Sequence, residues 1–560
     1  MQVNVNKGMR HRVGAALAGL VVTAGAALCV LPATARAQEP GAQKSGAQQS
    51  FEELRNTVIN LLESLVEKGV ITREQATGMV ARAQEQAEKA AATAAATAEA
   101  EKDAVRVTYV PESIRRQIGY EVRADIRDEV AEDVLAQATR RGLGSVPEWL
   151  RSVQVTGDAR VRAEHTGYAE GNAVNVYQNY SAINAAGGRG KAGIDALLNT
   201  TEDRQRLVGR ARLGIAAELG GAWDLELRLA SGSASAPTST NQTFGAGNAR
   251  WSTGVDRAML RWNPRFGRER QELELRAGRF GNPFFGTSEL IWDADLSLEG
   301  LTLRYGFDLF QPEAEHYTRG LYLMAGALPL QETELSTRDK WLYAAQLGTE
   351  IPLGEASRLR ASAALFDFRN VLGRRNALDS TLYDFTAPRF LQKGNTLFDI
   401  RNDADTGTNL YALAGEYRLV AASLQLDAAA FGAQHLILGA DYVRNIGWKA
   451  EEVLARVGYL PEERVQGYDV NLSFGRPTLA AWGHWRAFGG YRSVQRDAVL
   501  DAFNDSDFHL GGTDARGYQL GFDLGLARHA WVRLRLLSAT EVDGPPLGID
   551  VWQLDVNGQF

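Results

Sequence analysis

From Ser152 to the last residue, apolar and polar positions alternate with a period of two. In SVQVTGDARVRAEH one face carries Val153, Val155, Ala159, Val161 and Ala163, and the other carries Gln154, Thr156, Asp158, Arg160, Arg162 and Glu164. RQRLVGRARLGIAAEL sets Leu207, Ala211, Leu213 and Ile215 against Arg206, Arg210, Arg212 and Glu218; AWDLELRLA sets Trp223, Leu225, Leu227 and Leu229 against Asp224, Glu226 and Arg228. VQGYDVNLSF and YQLGFDLGL repeat the rule late in the chain. Such alternation predicts strands with one oily and one wet face. Strands of soluble proteins average about 5–6 residues, whereas these runs reach about 9–14, the length of a tilted strand crossing a bilayer. The expected fold is an all-β transmembrane barrel over 151–560, apolar outside and charged inside. It has sixteen antiparallel strands, with eighteen the alternative, because TNLYALAGEYRLVAASLQLDAAAF within 408–445 reads as one strand or two. With sixteen, the long connections 166–203, 232–253, 370–407, 446–464 and 494–515 all fall at one end, as the outer loops of bacterial barrels do.

The first 150 residues follow other rules. Lys7, Arg10 and Arg12 precede an apolar run from Val13 to Leu31, and Ala35-Arg36-Ala37 has the small-x-small form of a cleavage site, so 1–37 reads as a signal peptide, with Met9 a second possible start. The single cysteine, Cys29, lies inside that run, which leaves the mature chain without disulfides or thiolate ligands. Residues 38–50 form a linker. Over 51–141 the period becomes helical: Phe51, Leu54, Val58, Leu61 and Leu65 step as a heptad seam, Thr72 and Gln75 form a capping box, and an alanine-rich tract follows. This segment is expected to be an α-helical, coiled-coil arm in the periplasm, or else a helical hairpin or spacer. Residues 142–150 connect it to the barrel. After Leu31 no stretch is long and apolar enough for a membrane-spanning helix.

The chain ends IDVWQLDVNGQF, with Trp552, Leu554, Val556 and Phe560 on one face and Gln553, Asp555 and Asn557 on the other. A strand in hydrocarbon cannot leave an edge unpaired, so the last strand is expected to close on the first. Its aromatic end resembles the terminal strand of bacterial outer-membrane barrels, whose final aromatic is read by the barrel-assembly machinery.

Charge narrows the function. There are 61 Lys+Arg against 68 Asp+Glu and a net charge of -7, which argues against a nucleic-acid partner. Arginine far outnumbers lysine, and the inward positions of the first six strands add Arg257, Arg261, Glu272, Glu274, Arg276 and Arg304 to the charges already named. Opposed basic and acidic walls would orient dipolar solutes, and the basic excess predicts a modest anion preference; the alternative is that the charges pair and stiffen the wall. The loop DAFNDSDFHLGGTDARG holds Asp501, Asp505, Asp507 and Asp514, which read as a solvated turn or a constriction loop folded into the mouth, or as oxygen ligands for calcium. Phe284, Phe285 and Trp292 in the 281–295 loop read as interfacial or trimer-contact aromatics, or as a surface for stacking solutes. Asp469, Ser473 and His484 share an inward parity that a hydrolase triad would need, but no nucleophile elbow surrounds them. No enzyme and no cofactor is expected.

Several stretches carry a family resemblance: VPESIRRQIGYEVRADIRDEV leading through VPEWLRSVQVTGDARVRAE, GRFGNPFFGTSELIWDADLSLEGL at 278–301, GNTLFDIRND at 394–403, LGADYVRNIGW at 438–448 and AFNDSDFHLGGTDARGYQLGF at 502–522. Together they resemble the proteobacterial "putative porin" family, outer-membrane barrels with a helical N-terminal extension. The resemblance implies passive diffusion of small hydrophilic solutes and a homotrimer in outer-membrane lipid. Other readings are a plugged or substrate-specific channel and a barrel that anchors a tether to the cell wall.

Overall fold

A computed structural model describes residues 152–264, 271–308, 320–334, 336–353 and 356–560. The signal peptide, linker, helical arm and connector expected before Ser152 lie outside the described residues. Sixteen strands make the barrel. They are β1 (Val153–Tyr168), β2 (Arg204–Gly220), β3 (Trp223–Ser231), β4 (Thr253–Trp262), β5 (Gln271–Gly281) and β6 (Ser297–Asp308). Then come β7 (Gly320–Gln331), β8 (Lys340–Pro352), β9 (Arg358–Arg369), β10 (Arg418–Phe431) and β11 (Gln434–Asn445). The series ends with β12 (Gln466–Gly475), β13 (Trp485–Val494), β14 (Ala515–Ala527), β15 (Ala530–Glu541) and β16 (Gly548–Gln559). Each pairs antiparallel with its sequence neighbours, and β1 pairs with β16 through Asp158↔Gln559 to Tyr168↔Ile549, so the sheet closes. A two-residue segment, Gln242–Thr243, adds to β2 without spanning anything.

The doubtful stretch resolves into one spanning strand, β10. Tyr411–Leu413, ahead of it, pairs instead with Leu397–Asp399 in a separate ribbon within the 370–417 connection. The eighteen-strand alternative is thereby overturned. Because strand directions alternate, 169–203, 232–252, 370–417, 446–465 and 495–514 emerge at one end, as expected, and 282–296 joins them. Two-residue turns such as 432–433 lie at the other end, where Gly432 supplies the left-handed φ of 68° that a tight hairpin needs.

The outer face is a band of exposed apolar side chains: Val161, Leu213, Leu301, Leu347, Val470 and Leu520 are each between 45% and 61% exposed. Contiguous apolar surface on that scale suits hydrocarbon rather than water. Trp552, Leu554 and Val556 belong to it, while Gln553, Asp555 and Asn557 point inward and are buried. Phe560 exchanges both main-chain hydrogen bonds with Gly157, at 2.9 and 3.1 Å, and its ring lies where a Cβ on Gly157 would come within 2.5 Å. Gly157→Leu is therefore expected to displace the ring and weaken closure by about 1–3 kcal/mol, as overpacking does. The check is electrophoresis of unheated samples, where the folded band should shrink relative to wild type; an unchanged band would show that the Phe560 seat is dispensable.

Candidate functional site

The inner face of β1–β6 is a lattice of ion pairs. Asp158 takes Arg210 at 2.9 Å and Arg212 at 2.6 Å, Glu164 takes Arg206, Asp224 takes Arg261 at 2.7 Å and Glu226 takes Arg257 at 3.1 Å. Glu272 holds Arg304 and Glu274 holds Arg276, each at 2.7 Å. Arg228 pairs with Asp256, which a bulge between Arg228/Leu229 and their partners turns inward beside Arg257. The charges here pair with their neighbours rather than forming opposed basic and acidic walls, as in the second of the two readings the sequence offered. The reason is geometric: facing residues on adjacent strands stand about 4.5–5.5 Å apart, far nearer than the opposite wall. Glu218, also expected inward, is exposed near the turn end.

Two loops enter the lumen and add their own contacts to this lattice. The 282–296 loop packs Phe284, Leu290 and Trp292 onto an apolar inner patch of β8–β10, including Leu342, Phe366 and Phe368. Phe284 and Trp292 each meet Phe366 edge-on at 5.2 Å, and Trp292 also lies beside Phe368 and Phe503. These aromatics are 5% and 8% exposed inside the barrel, so the interfacial reading of Phe284 and Trp292 is overturned. Phe285 is tied to Gln346 by two 2.8 Å hydrogen bonds, and its ring stacks near the Arg360 guanidinium. Asp441 on β11 accepts from the Thr287 main chain, the Thr287 hydroxyl and the Ser288 hydroxyl at 3.0, 2.9 and 2.6 Å. The loop then crosses to the far wall, where Asp295 accepts from Arg210, Arg212 and Thr240.

The 495–514 loop descends to meet it. Asp505 pairs with Arg492 at 2.6 Å, and Asp507 takes Arg162 at 2.8 Å together with Arg535. Arg492 also binds Asp469 at 2.9 Å and lies 5.1 Å over the Phe508 ring. The two loops are joined by Asp293 N–H to the Phe503 carbonyl and by Ser506 N–H to the Asp293 carboxylate, at 2.8 and 2.9 Å. Arg162 and Arg535 hold the Asp507 carboxyl well below its usual range. Burial first and neighbouring carboxylates second, Asp505 for Glu289 and Glu289 then Asp505 for Asp293, push the Glu289 carboxyl up to about 7 and the Asp293 carboxyl up to about 9. The constriction thus ties the wall arginines Arg162, Arg492 and Arg535 to the loop carboxylates Asp505 and Asp507 by direct ion pairs, with Asp469 and Asp555 of the wall on the same arginines.

Arg162 shows what holds this geometry. It is 2% exposed and bonds Asp555 and Asp507 at once. Arg162→Gln removes the closest partner of buried Asp555 and one of the two arginines on Asp507, at a cost of about 3–5 kcal/mol. The expected result is a lower temperature for loss of the folded electrophoretic band, and an unchanged temperature would contradict it.

A family model described as "Putative porin" matches residues 55–560. The chain belongs to this family. As a porin it is a channel of the outer membrane. Among solved structures it is similar to OprB of Pseudomonas putida, at 14% identity over 74% of this chain and 96% of that one, with a TM-score of 0.41. It is also similar to the DcaP channel of Acinetobacter baumannii (10% identity, 73% and 97% covered, TM-score 0.38) and to the trimer form of OmpT of Vibrio cholerae (9% identity, 73% and 100% covered, TM-score 0.38). Comparison with curated proteins gives no match.

The same contacts bear on two minor readings of the sequence of this porin. The four aspartates do not gather as a calcium site: Asp505 and Asp507 bind arginines, Asp514 lies 3.7 Å from Arg496, and Asp501 is buried apart from them. Nor does a triad assemble. Asp469 and Ser473 are four residues apart on β12, about 13 Å along a strand; Asp469 is committed to Arg492, and His484 sits in the 476–484 turn rather than on a strand. The contributions of Asp256, Asp295, Asp441, Arg492, Arg535 and Asp555 were not visible by parity in the first six strands. One signal did exist. KWLYAAQL and ASAALFDF are apolar on both faces, the mark of strands covered on both sides, and only an inward loop covers an inner face.

Proposed function

We propose that this porin is a water-filled channel for passive diffusion of small hydrophilic solutes and ions, with its selectivity set at the two-loop constriction. The observation that carries the reading is the union of an apolar outer band with a charged inner face that a packed loop narrows. Pore-lining roles follow for Asp158, Arg160, Arg162, Glu164, Arg206, Arg210, Arg212, Asp224, Glu226 and Arg228, and for Arg257, Arg261, Glu272, Glu274, Arg276 and Arg304. The buried aromatic contacts of the 282–296 loop favour a second, narrower reading, a channel restricted to particular substrates. The chain would act as a homotrimer without enzymatic activity, be inserted by the assembly machinery through Trp552, Leu554, Val556 and Phe560, and carry residues 51–141 as a periplasmic helical arm after removal of 1–37. Swelling of proteoliposomes in sugars of graded size tests the reading. Rates that fall steeply with solute size support free diffusion, uptake of one solute class alone supports the restricted channel, and no swelling with any solute overturns both.

A further inference from the structure

At the loop end, beside the constriction, lies a cavity of about 400 Å³ with opposite charges on its lining. On one side is Lys340 at the start of β8. It is 7% exposed, its ammonium reaches only the Thr386 carbonyl at 3.4 Å, and no carboxylate among the described residues lies within ion-pair distance. Arg389 joins it from the 370–417 loop, exposed and without a carboxylate partner among the described residues. Asp501 of the 495–514 loop, which also lines the cavity, has no exposed surface, and neither carboxylate oxygen has a hydrogen-bond partner. The main-chain N–H groups of Gln392, Asn395 and Ala502 face that carboxylate without completing hydrogen-bond geometry. On the Lys340 side the wall also carries Gln331 and the exposed Glu332, and the remainder is apolar, with Phe390, Leu413 and Phe503.

A buried ammonium and a buried carboxylate each cost several kcal/mol when unpaired, and here they line one cavity without pairing with each other. A solute carrying both counter-charges relieves both costs at once. We propose that this cavity binds a small zwitterion with an apolar substituent, an α-amino acid in chemical class. Its carboxylate lies toward Lys340 and Arg389, its ammonium toward Asp501, and its side chain against Phe390, Leu413 and Phe503. The inference rests on the porin reading and deepens it, because Phe503 also touches Trp292 and its carbonyl holds Asp293 of the constriction loop. Occupancy of the cavity therefore bears on the current path.

The test is single-channel current through the full-length protein in KCl, with phenylalanine added on the loop side. Phenylalanine is expected to produce resolved blocking events. Phenylalaninamide, which lacks the carboxylate, and 3-phenylpropionate, which lacks the ammonium, are expected to block at least about tenfold more weakly, the factor that 1.4 kcal/mol represents. Lys340→Met and Asp501→Asn should each weaken the phenylalanine block by a similar factor. The KCl current in the same trace reports whether each variant has folded, and the analogue series on wild type needs no variant at all. Equal block by all three compounds, or steady current with none of them blocking, overturns the proposal while leaving the channel itself established. Absence of any KCl current would instead count against the channel.

Discussion

Asp441→Ala combined with Phe366→Ala is expected to raise the single-channel current several-fold and make it noisy. The narrowest section of a pore dominates its resistance, and these two side chains hold the 282–296 loop in that section. Asp441 accepts three loop hydrogen bonds, and bonds to a charged acceptor contribute about 1.5–3 kcal/mol each. Phe366 is 2% exposed and touches both Phe284 and Trp292, so its truncation costs about 3–5 kcal/mol of packing. Together the losses rival what the loop retains through Gln346, Asp295 and the bonds of Asp293 to Phe503 and Ser506. Each single variant should give a smaller rise than the pair. A current indistinguishable from wild type in a folded double variant would mean that the loop does not limit conduction.

Between about pH 6 and pH 10 the channel is expected to become progressively more cation-selective. Glu289 and Asp293 are raised to about 7 and about 9 by burial first and by neighbouring carboxylates second. Asp505 and Asp295 face them with like charge, and Arg492 and Arg535 oppose that push. Below the window the pair is neutral; above it the constriction gains up to two negative charges, and the reversal potential in a KCl gradient moves toward the cation value. Stability runs the same way. The folded state keeps protons that the unfolded chain gives up near pH 4, so their contribution is lost as pH rises from about 4 through the folded values. The pair Glu289→Gln and Asp293→Asn should flatten the selectivity curve and slow the loss of stability at alkaline pH. A reversal potential independent of pH in wild type would refute the assignment.

Much of the barrel was legible because period two survives wherever one face meets lipid: β1, β2 and β3 lie where their alternation put them. Parity fails where a local feature breaks it. The bulge opposite Arg228 turns Asp256 inward, and no composition signal announces it. Pairing also lies beyond parity, since Arg210 and Arg212 choose Asp158 through register, a property of two strands rather than one. Loop direction was the largest gap. Phe284 and Trp292 read as surface aromatics because their partners, Phe366 and Phe503, lie roughly 80 to 210 residues later in the chain. The loop 495–514 was more readable, since an entry into the mouth was among its expected fates, but its aspartates found arginines on β1, β13 and β15 instead of a metal.

The central claim is an open lumen narrowed by two loops, and the current carried by purified full-length protein in a planar bilayer tests it most directly. The account predicts discrete, steady steps in KCl, in multiples of three for a homotrimer, with a measurable reversal potential under a salt gradient. Folded, heat-modifiable protein that inserts and never conducts would contradict it, because the same loops would then seal the barrel.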